Sequence, residues 1–196
     1  MGRSIYLAGP EVFLPDAAAI GERKRRICAQ YGFTGLFPLD NGLDLQAGTS
    51  VAAAIFGANM KMLAGADLIL ANLTPFRGVS ADVGTVFELG AGYAMGKPVF
   101  GYSNVRGTLI ERLAALTEFQ PFKAGADDRL YAADGLAVED FGLADNLMIA
   151  EALHCSGTEI IMPDREVVDI GRDLGVFERC IRAIAALTGF PVSPLG

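Results

Sequence analysis

One carboxylate in this chain has the surroundings that a nucleophile needs. In Asp82-Val-Gly-Thr-Val-Phe-Glu88-Leu-Gly-Ala-Gly92, a helical rotation of roughly 100° per residue puts Gly84, Glu88 and Gly92 on one face, flanked by Thr85 and Ala91. Side chains this small let a ring approach the carboxylate closely. Asp82 is a good N-cap, and a helix N-terminus favours the ionised form that a nucleophile must hold. A second reading stands beside this one: glycine and alanine on that face let the helix pack tightly on a sheet. Gly90-x-Gly92 with Gly96 is no dinucleotide fingerprint, because it lies inside a helix and not between a strand and a helix start.

The elements that must position Glu88 alternate. Ser4 to Gly9 reads as a buried strand, Asp16 to about Tyr31 as a helix capped by Asp16, and Gly32 to Leu39 as a second strand. A helix starts at Thr49 or Ser50 and ends near Gly65. Ala66 to Leu73 is a third strand, the Asp82 helix stops at Gly96, and Lys97 to Tyr102 is a fourth strand. Residues 118 to 145, rich in Gly and Asp, read as an irregular loop. Thr158 to Met162 reads as a last strand, and Arg165 to Leu187 as a closing helix. This order predicts a single α/β domain over residues 1–196: a doubly wound, mainly parallel five-stranded sheet with helices on both faces, flavodoxin- or Rossmann-like. Ligands of such sheets bind beyond the carboxyl ends of the strands. Tyr6, Asp40, Asn41, Arg77, Asp82 and Glu88 fall there.

Composition narrows the chemistry. The 196 residues are 52% hydrophobic and 20% charged, which excludes disorder, and alanine runs such as Val51-Ala52-Ala53-Ala54 suit close packing and a homo-oligomer. The net charge is -7, and the one dense basic cluster, Arg23-Lys24-Arg25-Arg26, reads as a solvated helix face, so no nucleic-acid partner is expected. Cys28, Cys155 and Cys180 lack metal-ligand spacing and read as buried thiols of a reducing compartment. The lone histidine, His154, reads as a packed or surface residue near a helix end. No apolar run reaches membrane length, and Glu11 interrupts any signal peptide, so the expected location is cytoplasmic with no membrane contact.

Five motifs then fall in order: Ile5-Tyr6-Leu7-Ala8-Gly9-Pro10 with Val12-Phe13; Pro38-Leu39-Asp40-Asn41; Pro75-Phe76-Arg77-Gly78; Asp82-x-Gly84-x-x-x-Glu88-Leu-Gly90; and Phe141-Gly142-Leu143-x-Asp145-Asn146-Leu147-Met148. Together, over residues 3 to 150, they resemble the nucleoside 2'-deoxyribosyltransferase family. The Pro75-Phe76-Arg77-Gly78 loop resembles the branch that includes purine-preferring members.

The resemblance implies substrates and roles. The partners would be small-molecule deoxynucleosides and free nucleobases, with no cofactor and no metal. Glu88 would take deoxyribose from one base as a covalent intermediate and pass it to a second base with retention. Tyr6 would orient Glu88; its other reading is a buried strand tyrosine. Asp82 would accept from the sugar 5'-hydroxyl, or serve only as a cap. Asn146 would reach that hydroxyl from a neighbouring subunit, so that sites are shared in a homo-oligomer. Gly9, Phe13 and Met148 would line the substrate site.

Many family members carry an aspartate, proposed to protonate the leaving base, eight residues before the aspartate that opens the third strand. That opening aspartate is Asp67 here, and the position eight before it is Asn59. An amide is no acid at neutral pH but can bind a base edge. The base would then leave with help from water, or Asp40 or Asp44 would serve as the acid; Arg77 would donate to a 6-oxo group or form a salt bridge, and Asp67 lies at the wrong end of its strand. A 2'-deoxynucleoside 5'-phosphate N-hydrolase or nucleoside hydrolase, and a non-catalytic nucleotide-binding module, are the rival readings.

Overall fold

Short apolar runs with few polar interruptions suit a parallel sheet buried on both faces, and the chain builds one. In the computed structural model, which describes residues 2–40 and 50–188, the strands are β1 (Ser4–Ala8), β2 (Thr34–Leu36), β3 (Leu68–Asn72), β4 (Val99–Tyr102), β5 (Lys123–Ala124), β6 (Leu130–Tyr131), β7 (Ala137–Val138) and β8 (Ile160–Ile161). The helices are α1 (Ala17–Gln30), α2 (Val51–Gly65), α3 (Val83–Ala94), α4 (Leu109–Ala114), α5 (Leu147–Cys155) and α6 (Gly175–Thr188). The main sheet is parallel, in the order β2-β1-β3-β4-β8. Tyr6 lies opposite Leu36 and Ile69, and Ile69 opposite Val99. In this order the chain reverses direction of winding between β1 and β3, which is where such sheets open a ligand crevice.

Strand alternation divides the core. Ile5, Leu7, Leu68, Leu70, Phe100 and Tyr102 face α1 and α6. Tyr6, Ala8, Ile69, Ala71 and Val99 face the opposite layer, with Leu63 of α2, Leu89 of α3 and Leu153 of α5. Helix α6 buries Phe177, Cys180, Ile181, Ile184 and Ala185, the spacing of one helical stripe. Each large apolar side chain there contributes roughly 1.5–3 kcal/mol of burial free energy.

The doubly wound architecture agrees with the sequence reading, and the differences have local causes. The segment 118–145 is not wholly irregular: β5, β6 and β7 form a second, antiparallel sheet. Its turns use Asp128 at φ 62° and Gly135 at φ 81°, and Asp134 Oδ1 accepts from Leu136 N at 2.9 Å. Two-residue strands are too short to display an alternation. The closing helix starts at Gly175 and not at Arg165, because Asn104 Nδ2 takes the Ile170 and Asp173 carbonyls at 2.8 and 3.0 Å. Asp16 makes no capping bond; it pairs with Arg172 at 2.9 Å.

Two further expectations are corrected. Lys24 is not part of a solvated basic face but is buried against Glu11. Cys28 and Cys180 are buried, which pushes both thiols up to about 12, but Cys155 is exposed. His154 lies exposed in the last turn of α5. No helix among the described residues is long and apolar enough to cross a membrane.

Candidate active site

Two strand ends and two helices meet around a cavity of about 460 Å³. Gly9 follows β1, Val12 and Phe13 come from the short 3-10 turn Pro10–Phe13, and Pro38 and Leu39 follow β2. Helix α2 contributes Ile55 and Asn59, one turn apart, and α3 contributes Gly84, Thr85 and Glu88 after its cap Asp82. The walls are mainly apolar. Among the described residues, the two carboxylates lining the cavity are Asp82 and Glu88.

Glu88 reaches the cavity from the second turn of α3. Tyr6, fully buried in β1, donates its hydroxyl to Glu88 Oε1 at 2.5 Å. Burial pushes the Glu88 carboxyl above its usual value, the Tyr6 bond pulls it down, and the Asp82 charge pushes it up again; the net direction is upward. The sequence reading took the helix N-terminus to favour the ionised form; that influence fades within the first turn, and at Glu88 burial outweighs it. Burial, the Glu88 charge and the hydrogen bond to Glu88 all raise the Tyr6 phenol, so Tyr6 remains a donor.

Both readings of the small-residue face of α3 have a place. A Cβ on Gly92 would stand 2.4 Å from Ile69 Cγ1, so this glycine lets α3 press onto β3. One and two turns earlier, Glu88 and Gly84 line the cavity. Asp82 caps α3: its Oδ2 accepts from Thr85 N at 2.9 Å and Thr85 Oγ1 at 3.0 Å. Both bonds use one oxygen and leave Oδ1 to a ligand.

Other residues singled out in the sequence stand elsewhere. Asp40 does not line the cavity: Arg25 takes its Oδ1, and its Oδ2 accepts from Phe37 N at 3.0 Å. Its neighbours Pro38 and Leu39 do line it. Asn41 and Asp44 lie outside the described residues. Arg77, at φ 52°, forms no salt bridge among the described residues; its guanidinium sits over the rings of Phe76 and Phe13, 4.9 and 5.8 Å from their centroids. Asn146 caps α5 by accepting from Met148 N at 3.0 Å, and donates to Glu139 Oε1 at 2.7 Å. Neither Asn146 nor Met148 lines this chain's own cavity, and Met148 is 73% exposed. Asp67 accepts from Ser4 N and Oγ at the amino end of β3, far from the carboxyl ends that form the crevice.

Sequence reasoning missed a buried polar group behind Gly9. Glu11 and Lys24 pair there, and Glu11 Oε1 also accepts from Asn72 and Tyr102. Its sequence signal is Lys24 on the stripe Ala17, Ile20, Gly21, Lys24 and Cys28, which is the buried face of α1. Among the described residues, no cluster of three or more His, Cys, Asp or Glu is arranged to hold a metal.

The comparisons with known proteins agree with this geometry. A sequence profile of the family described as Nucleoside 2-deoxyribosyltransferase matches residues 5–148, a span that includes the cavity's described lining. An uncharacterized protein of Schizosaccharomyces pombe is 30% identical over 164 residues, covering 78% of this chain and 78% of that protein. A 2-desoxiribosyltransferase from Leishmania mexicana superposes with a TM-score of 0.64 at 29% identity, covering 94% of this chain and 97% of that one. A conserved protein from Enterococcus faecalis V583 shares the fold alone, at a TM-score of 0.53 and 19% identity over 94% of this chain and 99% of that one. With most of its length matched by the family profile, and the cavity built from the matched segments, the chain belongs to the nucleoside 2-deoxyribosyltransferase family.

Proposed function

We propose that this protein exchanges the base of 2'-deoxyribonucleosides through a covalent deoxyribosyl-Glu88 intermediate, with purines preferred. The observation that carries the reading is Glu88 at the wall of an apolar cavity, held from behind by the buried Tyr6 hydroxyl. The cavity's size is in the range of small-molecule sites. Tyr6 occupies Oε1 and fixes the carboxylate, leaving Oε2 to attack C1' of the sugar. The C1'–N bond breaks, and its electron pair goes to the base, which takes a proton from water. A ring nitrogen of a second base then attacks C1' and gives up its N–H proton to the hydroxide left by that water. The C1'–O bond to Glu88 breaks and returns the carboxylate, and two displacements retain configuration. Asp82 Oδ1 accepts from the 5'-hydroxyl, and the Asn59 amide meets the base edge.

A homo-oligomer with shared sites fits the surface. Helices α2 and α3 expose Val51, Ile55, Phe56, Val83 and Phe87, and the Phe56 and Phe87 rings lie 6.1 Å apart. An apolar patch of this kind suits a subunit contact. That Asn146 and Met148 stand outside their own cavity supports a role for them in a neighbour's.

The test is a base-exchange assay with deoxyinosine as donor and adenine as acceptor, alongside intact-protein mass measurement without acceptor. Deoxyadenosine should form, and a deoxyribosyl adduct should appear that is absent in Glu88→Ala. A wild-type chain that binds deoxyinosine but forms neither product nor adduct would end the transferase reading.

A further inference from the structure

At the carboxyl edge of the sheet, directly behind the cavity, buried polar side chains touch one another in series. Glu11 is 3% exposed and Lys24 is 1% exposed, and they form an ion pair. Glu11 Oε1 also accepts from Asn72 Nδ2 at 2.9 Å and from the Tyr102 hydroxyl at 3.0 Å. Asn72 Oδ1 accepts from Thr74 N at 3.0 Å and Thr74 Oγ1 at 2.5 Å, and Thr74 Oγ1 accepts from Asn104 N at 2.9 Å. The series joins α1, the 3-10 turn after β1, β3, β4 and the loops that follow them.

Stability alone does not account for such a pair. Apolar residues of equal volume serve a core as well as a buried ion pair or better. Glu11 is also unevenly used, since Oε2 is buried without a hydrogen-bond partner. What the network does have is position. Phe13 follows Glu11 by two residues and Phe76 follows Thr74 by two. Their rings stack with centroids 5.3 Å apart and planes 17° from parallel. Phe13 lines the cavity and remains 59% exposed. Phe13 at the cavity wall and Phe76 stacked on it therefore hang from a four-residue 3-10 turn and from a loop, two segments outside the sheet that the buried network ties together.

We infer that Glu11 and Lys24 are positioning residues that hold the Phe13–Phe76 pair as a fixed aromatic wall against which the base stacks. The inference rests on the nucleoside reading above. A base stacked on a preset ring keeps more of its stacking energy than one that must first order the ring. The pair thus acts on substrate affinity through the turn it anchors, without touching substrate.

The variants are Glu11→Gln, Lys24→Met and the double variant, in which no buried charge is left uncompensated. Melting temperature is read by calorimetry. Deoxyinosine affinity is read by titration in a Glu88→Ala background that cannot turn over, and KM and kcat in the otherwise wild-type chain. Each single variant should bind deoxyinosine at least tenfold more weakly and raise KM more than it lowers kcat. The double variant should recover most of the melting temperature while its affinity stays low, because neutrality returns but the anchor does not. A double variant that binds like its parent, or single variants that melt lower with unchanged affinity, would overturn the inference while leaving base exchange intact. Tyr102→Phe removes one donor and no charge, and so keeps the test open should the charge variants fail to fold. It should weaken binding several-fold, and unchanged affinity there would also overturn the inference. A parent chain that binds no deoxyinosine at all would overturn the nucleoside reading and this inference together.

Discussion

The Tyr6 hydroxyl and Glu88 Oε1 lie 2.5 Å apart, although 82 residues separate them in sequence. One comes from the middle of the sheet and the other from the helix laid across it. Removing the hydroxyl with Tyr6→Phe keeps the ring that fills the core and deletes the one influence that lowers the Glu88 carboxyl. Glu88 should then hold its proton to higher pH. The acid limb of kcat/KM should move upward, and the rate at neutral pH should fall roughly 10- to 100-fold, the worth of a hydrogen bond to a charged group. A pH–rate profile checks this, and an unmoved acid limb would separate Tyr6 from the ionisation of Glu88.

Glu88 also has a stability consequence. Its carboxyl is raised in the folded chain, so the folded state binds that proton more tightly than the unfolded state does. The resulting stabilisation is present below the ordinary carboxylate range and is lost as pH rises through the raised value. At pH 7–8 the chain therefore carries an ionised, half-buried carboxylate at a cost. Glu88→Gln keeps the shape without the charge. It should melt above the wild type at pH 8, lose that advantage toward pH 4, and show no base exchange. Calorimetry across pH decides; a lower melting temperature at pH 8 would contradict the argument.

On the proposed reading, Asp82, which lines the cavity, would meet a 5'-phosphate with a carboxylate. Like charges at ~4 Å cost from ~1 kcal/mol in water to ~4 kcal/mol at an effective dielectric of 20. Asp82→Ser keeps a capping oxygen for Thr85 N and removes the repulsion. The ratio of deoxynucleoside 5'-monophosphate to deoxynucleoside turnover should rise about tenfold or more, as ~1.4 kcal/mol implies. An unchanged ratio would leave Asp82 as a cap alone.

Asn59 lines the cavity without being an acid. A purine can leave after N7 takes a proton from water, whereas a pyrimidine has no comparably basic ring nitrogen. With adenine as acceptor, deoxyinosine should outpace thymidine as donor. Asn59→Asp should shift the ratio toward thymidine. Equal initial rates in the wild type, or no shift in the variant, would remove position 59 from base choice.

Asn146 is held by Glu139 outside its own cavity. Mixing Glu88→Ala with Asn146→Ala subunits and allowing exchange should recover activity, because some shared sites then carry wild-type residues at both positions. Proven subunit exchange without recovery would assign Asn146 to its own chain or to α5 capping alone.

The residues around the cavity that were legible in sequence are those whose position follows from local periodicity. Gly84 and Glu88 share a face because a helix repeats at 3.6 residues, and Gly9 lies at a strand end because an apolar run stops there; Tyr6 stands in the middle of β1, not beyond its end as expected, and only its long side chain reaches Glu88. Asp40 and Arg77 were not legible in the same way, since each is claimed by a partner from another segment: Arg25 for Asp40, and the ring of Phe13 for Arg77. Lys24 sat in view on a core-facing stripe, but only the fold brings Glu11 to it. The small sheet β5–β7 left no pattern, because two residues per strand cannot show a period of two.

Gly9 separates the cavity from the buried carboxylate by the thickness of one α-carbon. A Cβ there would meet Glu11 Oε2 at 2.0 Å and Asn72 Cβ at 3.0 Å. Even alanine at position 9 must therefore displace the Glu11 carboxylate or the turn that carries it. The opposite wall is less constrained. Ile55 and Asn59 lie on α2, a helix that fully buries Leu63 among its described side chains and little else. On the proposed reading, trimming Ile55 to valine or alanine opens this wall to a base with an added ring substituent and leaves Glu88, Asp82 and the turn behind Gly9 as they are.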